Sequence, residues 1–156
     1  MAEETKKKVK KEAIPRQPMP EQEPAVRARN FLEVPTGYTP EMAQREAARC
    51  LQCKKPSCVD GCPVGIDIPG FIQLIKDGDF TKSIRHLWQK NSLPAVCGRV
   101  CPQEIQCEGR CIVGKKDEPV AIGNLERFVA DWERENGTGD LPPTAKRTGK
   151  KVAVVG

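Results

Sequence analysis

Apolar residues recur along most of this chain at helical rather than strand spacing. Phe80, Ile84, Leu87 and Trp88 fall at i, i+4, i+7 and i+8, one face of a helix that Asp79 opens. A second stripe, Ile122, Leu125, Val129 and Trp132, predicts a helix over 122–135 that stops before Gly137. Thr39 followed by Pro40 and Glu41 predicts a third start. The hydroxyl is placed to cap, proline suits the first turn and the carboxylate sits at the positive end of the helix dipole. That helix is expected to carry Cys50 at its end, and a shorter one is expected over 69–76. Alternating strand patterns are missing from this stretch, so the fold class reads as mainly α.

The two ends break the pattern. Residues 1–24 are charged and rich in proline (Pro15, Pro18, Pro20, Pro24), which disfavours helix and suits an extended or disordered leader. The helical, cysteine-bearing unit is expected over 25–136, and a Gly/Pro/basic linker over 137–149. Residues 150–156 run Lys-Lys-Val-Ala-Val-Val-Gly, which reads as the first strand of a dinucleotide-binding domain of Rossmann type, cut at its first glycine, Gly156. On that reading Gly156 is a cofactor-binding position and the chain is a fragment; an ordinary edge strand is the alternative.

Composition changes the picture in one respect. With 38% apolar residues and only 4% aromatics in 156 residues, side-chain packing has little material, so a metal, disulfides or a partner surface should help hold the fold. No apolar run reaches the roughly 18 residues of a membrane span, and the lysine-rich start has no hydrophobic stretch behind it. A cytoplasmic protein is expected, with no membrane partner. The net charge of +5 is concentrated at the ends, in Lys6, Lys7, Lys8, Lys10, Lys11 and Arg16 and again in residues 146–151, which leaves a slightly acidic middle. A nucleic-acid binder would interleave basic and aromatic side chains on one face, so no nucleic-acid partner is expected.

The chemistry lies in eight cysteines that fall in two runs, Cys50-x2-Cys53-x4-Cys58-x3-Cys62-Pro63 and Cys97-x3-Cys101-Pro102-x4-Cys107-x3-Cys111. In a reducing compartment such clusters are metal ligands or redox groups before they are disulfides. Thiolates at these intervals, with proline just beyond a ligand, are how a short backbone wraps an iron-sulfur cube. Structural zinc usually uses paired C-x2-C knuckles, and only Cys50 and Cys53 form one. The single histidine, His86, lies on a helix away from both runs and reads as a surface or half-buried residue. No base stands beside a cysteine to support nucleophilic catalysis. Gly61, Gly65, Gly98, Gly109 and Gly114 are candidates for letting backbone approach sulfide. Arg99, Arg110 and Lys115 either offset cluster charge or are solvated surface groups. Spacing by itself leaves Cys97 open as a ligand.

These residues resemble a known family. The segments Asn30-Phe31-Leu32-Glu33-Val34, Gly37-Tyr38-Thr39, Arg49-Cys50-Leu51-Gln52-Cys53, Cys97-Gly98-Arg99-Val100-Cys101-Pro102 and Ile122-Gly123-Asn124-Leu125-Glu126-Arg127-Phe128 are similar to the N-terminal domain of the small (beta) subunit of NADPH-dependent glutamate synthase. Similar domains occur in dihydropyrimidine dehydrogenase and in an electron-bifurcating transhydrogenase. The resemblance implies an α-helical ferredoxin-like domain with two 4Fe-4S clusters, followed by FAD and NADPH domains. It implies Cys50, Cys53, Cys58 and Cys111 as ligands of one cluster. For the other it implies Cys62, Cys101, Cys107 and the carboxylate of Glu126, with Cys97 left out. It further implies electron relay from NADPH and FAD toward a large (alpha) subunit, in an oxidoreductase of which this stretch alone would be the non-catalytic carrier. A zinc-stabilised docking module is the competing reading.

Overall fold

The computed structural model describes residues 14–137, 146 and 148–155, and within them the chain is helical. The helices are α1 (Pro24–Arg27), α2 (Pro40–Ala47), α3 (Ser57–Asp60), α4 (Ile68–Lys76), α5 (Phe80–Trp88), α6 (Pro94–Val100) and α7 (Ile122–Asn136). Three 3-10 turns, Gln103–Ile105, Glu108–Arg110 and Ile112–Lys115, link α6 to α7. A single antiparallel bridge, Glu21 to Pro35, is the one β feature among the described residues.

The core follows the stripes. On α4, Ile68, Phe71, Ile72 and Ile75 recur at i, i+3, i+4 and i+7 and are all buried, facing Ile84 and Leu87 of α5 and Leu125 and Val129 of α7. Phe80 meets the rings of Phe128 and Trp132 edge-on, with centroids 5.1 and 5.3 Å away. Caps match the starts: the Thr39 hydroxyl accepts from Met42 N, and the Asp79 carboxylate from Lys82 N at 3.0 Å. Asp67 does the same for α4 through Gly70 N, and its carboxylate also meets His86 Nε2 at 2.9 Å. Proline in α4 is tolerated because Pro69 lies in the first turn.

Two expectations need correcting. The helix from Pro40 ends at Ala47 rather than at Cys50, and the chain then turns, with Cys50 N bonding Ala47 O at 3.1 Å. Residues 14–23 of the stretch expected to be extended or disordered are extended but docked. Arg16 bonds Glu108 and Pro119 O, Gln17 N bonds Glu46 at 2.7 Å, and the Tyr38 hydroxyl donates to Gln17 O. The expected C-terminal strand has no ladder partner among the described residues. Val152, Val154 and Val155 are almost fully exposed, since a lone strand has no neighbour to bond, and Gly156 lies outside the described residues.

Buried carboxylates tie these pieces together. Ala121, the N-cap of α7, has no capping side chain of its own. Instead Glu46 of α2 accepts from Ala121 N at 2.8 Å, and Glu108 accepts from Gly123 N at 3.1 Å. Glu46 is also paired with buried Arg49 at 2.7 Å, and Arg49 donates to the carbonyls of Ile14, Glu118 and Pro119. The start of α7 is therefore anchored from the leader, from α2 and from the second cysteine run.

Candidate metal centre

All eight cysteines are free thiols, and the fold divides them into two neighbourhoods. The C-x2-C step leaves α2, Cys58 sits on α3, and the last 3-10 turns bring Cys111 back across the chain. Cys50, Cys53, Cys58 and Cys111 line one pocket, whose remaining wall includes Ile68, Ile72, Val120 and Ile122. Burial pushes the Cys58 thiol up to about 11, helped by the neighbouring sulfurs of Cys111 and Cys50. Burial also raises Cys50, opposed by a backbone N–H at Gln52. Gln52 itself has a φ of 51°, the one non-glycine residue of the described chain in the left-handed region. Its side chain reaches Cys50 Sγ at 3.5 Å and Pro69 O at 3.1 Å. Strained backbone that aims an N–H at a thiol is a feature the cysteine spacing did not signal.

The second neighbourhood gathers around Cys101 and Cys107. Burial pushes Cys101 up to about 11, with Cys97, Glu126 and Cys62 adding to the rise. Cys107 is pushed up to about 12 by burial, then by the charges of Glu108, Cys62 and Glu126. Glu126, projecting from α7, is buried and raised to about 7 by that burial, partly offset by a hydrogen bond from Asn91. Cys101 and Cys107 of the second run thus share this neighbourhood with Cys62 of the first run and Glu126 of α7. Cys97 lies beside this group, bonded to Asn91 Oδ1 at 3.7 Å.

Grouped, half-buried thiols disfavour the thiolate unless a multivalent cation stabilises it, and this is the electrostatic behaviour of a metal-binding donor set. A single zinc ion would draw four donors to about 2.3 Å from one point. Among the described residues no group of three or more Cys, His, Asp or Glu side chains is placed to hold a single metal ion. Four cysteines on one apolar wall suit a polynuclear group, each of whose irons takes its own thiolate.

A family model described as dihydropyrimidine dehydrogenase domain II, 4Fe-4S cluster, matches residues 27–138. The chain belongs to this family. Similar curated proteins include the glutamate synthase (NADPH) small chains of Halomonas elongata, 39% identical over 138 residues, and of Escherichia coli K12, 39% identical over 131. Those alignments cover 88% and 84% of this chain but 29% and 28% of the relatives. The NAD-dependent dihydropyrimidine dehydrogenase subunit PreT of Escherichia coli O157:H7 is 39% identical over 128 residues, 81% of this chain and 31% of the relative. The chain thus spans under a third of the length of these relatives.

Within this 4Fe-4S domain several residues singled out by sequence do other work. Arg99 grips Glu33 with two bonds, at 2.8 and 3.2 Å, and Asp131 at 2.7 Å, and the Glu33 bond above all holds its pKa well above the ordinary value. Arg110 and Lys115 are exposed. Gly98 serves helix packing rather than a sulfide. A Cβ there would stand 2.6 Å from Arg127 N, because α6 crosses α7 at that point. Gly61 and Gly109 likewise face the backbone carbonyls of Gln106 and Glu104. Asn91 is the donor-set neighbour that sequence reasoning missed; its signal was an Asn shortly before Pro94, at the start of α6.

Proposed function

We propose that the domain carries two 4Fe-4S clusters and passes electrons one at a time between them. Cys50, Cys53, Cys58 and Cys111 would hold one cluster, and Cys62, Cys101, Cys107 and the Glu126 carboxylate the other. The observation that carries the reading is the convergence of Cys111 with Cys50, Cys53 and Cys58 on one apolar wall. Residues fifty positions apart in the chain would not share a pocket for packing alone when each is a thiol. The clusters supply one-electron redox chemistry; this chain's residues set their separation, exclude water and fix the charge around them.

By likeness to the glutamate synthase small chains, electrons would enter from NADPH through FAD and leave toward a large subunit that makes glutamate. The FAD and NADPH sites would belong to sequence following Lys150–Gly156, whose Val-Ala-Val-Val-Gly pattern suits a first Rossmann strand. On this reading the work is cytoplasmic and the chain itself is a carrier. Among the described residues no helix is long and apolar enough to cross a membrane.

Iron, acid-labile sulfide and visible absorption of anaerobically purified protein test the reading. Both elements should be present, and Cys58→Ser should remove about half of each, one cluster of two. Colourless protein with stoichiometric zinc would establish the docking-module reading instead.

A further inference from the structure

Asn91 stands between the two side chains that compete for the last place in the second donor group. It is buried, and both ends of its amide are hydrogen-bonded. Nδ2 donates to Glu126 Oε1 at 2.6 Å; Oδ1 accepts from Leu93 N at 2.9 Å and from Cys97 Sγ at 3.7 Å. The Leu93 bond fixes which way the amide faces, because only the oxygen can accept a backbone N–H. With the oxygen so placed, the NH2 must point at Glu126. One side chain therefore orients a carboxylate and, at its other end, occupies the hydrogen of a thiol. That bond holds the Cys97 sulfur against the amide of Asn91.

Cys97 is otherwise well situated to ligate. It lies alongside Cys101, one turn earlier on α6, close enough for the two side chains to bond. Its exclusion is not explained by distance from the group. Glu126 arrives from α7, and its carboxylate has Asn91 as its hydrogen-bonding partner.

We propose that Asn91 is a positioning residue that selects the fourth donor of the second cluster, holding Glu126 in place and withholding Cys97. This rests on the two-cluster reading above. Without Asn91 the carboxylate loses its orienting donor and the Cys97 thiol is released, so sulfur replaces oxygen as the ligand. The cluster survives the exchange with altered electronic properties.

The test uses the whole chain, purified anaerobically, as wild type, Asn91→Ala, Cys97→Ser and the Asn91→Ala/Cys97→Ser double variant, with iron, sulfide, redox titration and electron paramagnetic resonance. Cys97→Ser alone should change nothing. Asn91→Ala should keep all its iron while the midpoint and g-values of one cluster shift and those of the other stay. The double variant should lose about half its iron relative to Asn91→Ala, because neither donor is then available. The signal of the unaffected cluster shows in every sample that the fold is intact. Full iron in the double variant, an unshifted spectrum in Asn91→Ala, or loss of both clusters on that single change overturns the selection role. Loss of the second cluster in Cys97→Ser overturns it too, while leaving the two-cluster reading standing. Wild-type protein without iron and sulfide would sink both.

Discussion

Glu46 is a buried charge whose partners are all accounted for. Its side chain is shut off from solvent, and its two oxygens take a backbone N–H from the leader, one from the start of α7, and the guanidinium of Arg49. Such a group contributes little as an ion pair, since desolvation offsets the attraction, but it is costly to break. Glu46→Ala leaves Arg49 charged and buried and frees two N–H groups. A loss of about 3 to 5 kcal/mol is expected, read as a lowered urea midpoint by circular dichroism under anaerobic conditions. A change below 1 kcal/mol would mean that water reaches Arg49 and that the anchoring of α7 lies elsewhere.

At the scale of elements, the tightest join is between α6, which carries Cys97, and α7, which carries Glu126. Gly98 makes it possible: the nearest atoms to a Cβ at that position are the Arg127 backbone nitrogen at 2.6 Å and its Cα at 2.8 Å. Backbone cannot swing aside as a flexible side chain can. Gly98→Ala should therefore separate the helices and cost about 1 to 3 kcal/mol. On the proposed two-cluster reading it should also disturb the paramagnetic signal of the cluster assigned to Glu126 more than that of the other. Across from this contact, Arg99 and Arg127 share Asp131, at 2.7 and 3.3 Å, so charge as well as shape holds the pair.

For the molecule as a whole, two sources of cohesion are separable. The side chains of α4, α5 and α7 bury Ile72, Ile75, Ile84, Leu87, Leu125 and Val129 together, with one thiol, Cys107, in that core and Cys50, Cys58, Cys62 and Cys111 only partly buried against it. The cysteine segments, by contrast, are short helices and 3-10 turns with few buried apolar residues of their own. Removing iron with a chelator should lower the Tm, but the far-UV helical signal of α4, α5 and α7 should persist. Hydrogen exchange should speed in residues 50–62 and 101–116 while the helix amides stay protected. Uniform loss of protection would instead make the clusters the nucleus of the entire fold.

Local chemistry is what the chain's sequence determined by itself. Apolar periodicity and capping residues are properties of neighbours in the chain, so α4, α5, α7 and the start of α2 were readable, as was a sulfur donor set from two runs of thiols. Helix α6 was not, because its apolar spacing is interrupted by Cys97 and Gly98 and its packing depends on a helix thirty residues away. The docked leader was also illegible: proline and charge predict an extended chain, but Glu46 and Glu108, which capture it, come from distant segments. Which thiols go together was implied by the family resemblance and not by their spacing, and only tertiary structure decided which arginines are already paired and that Asn91 lies between Glu126 and Cys97. Each of these depends on groups far apart in the chain meeting in a low-dielectric interior, where one hydrogen bond or one charge decides the outcome and linear spacing carries no record of it.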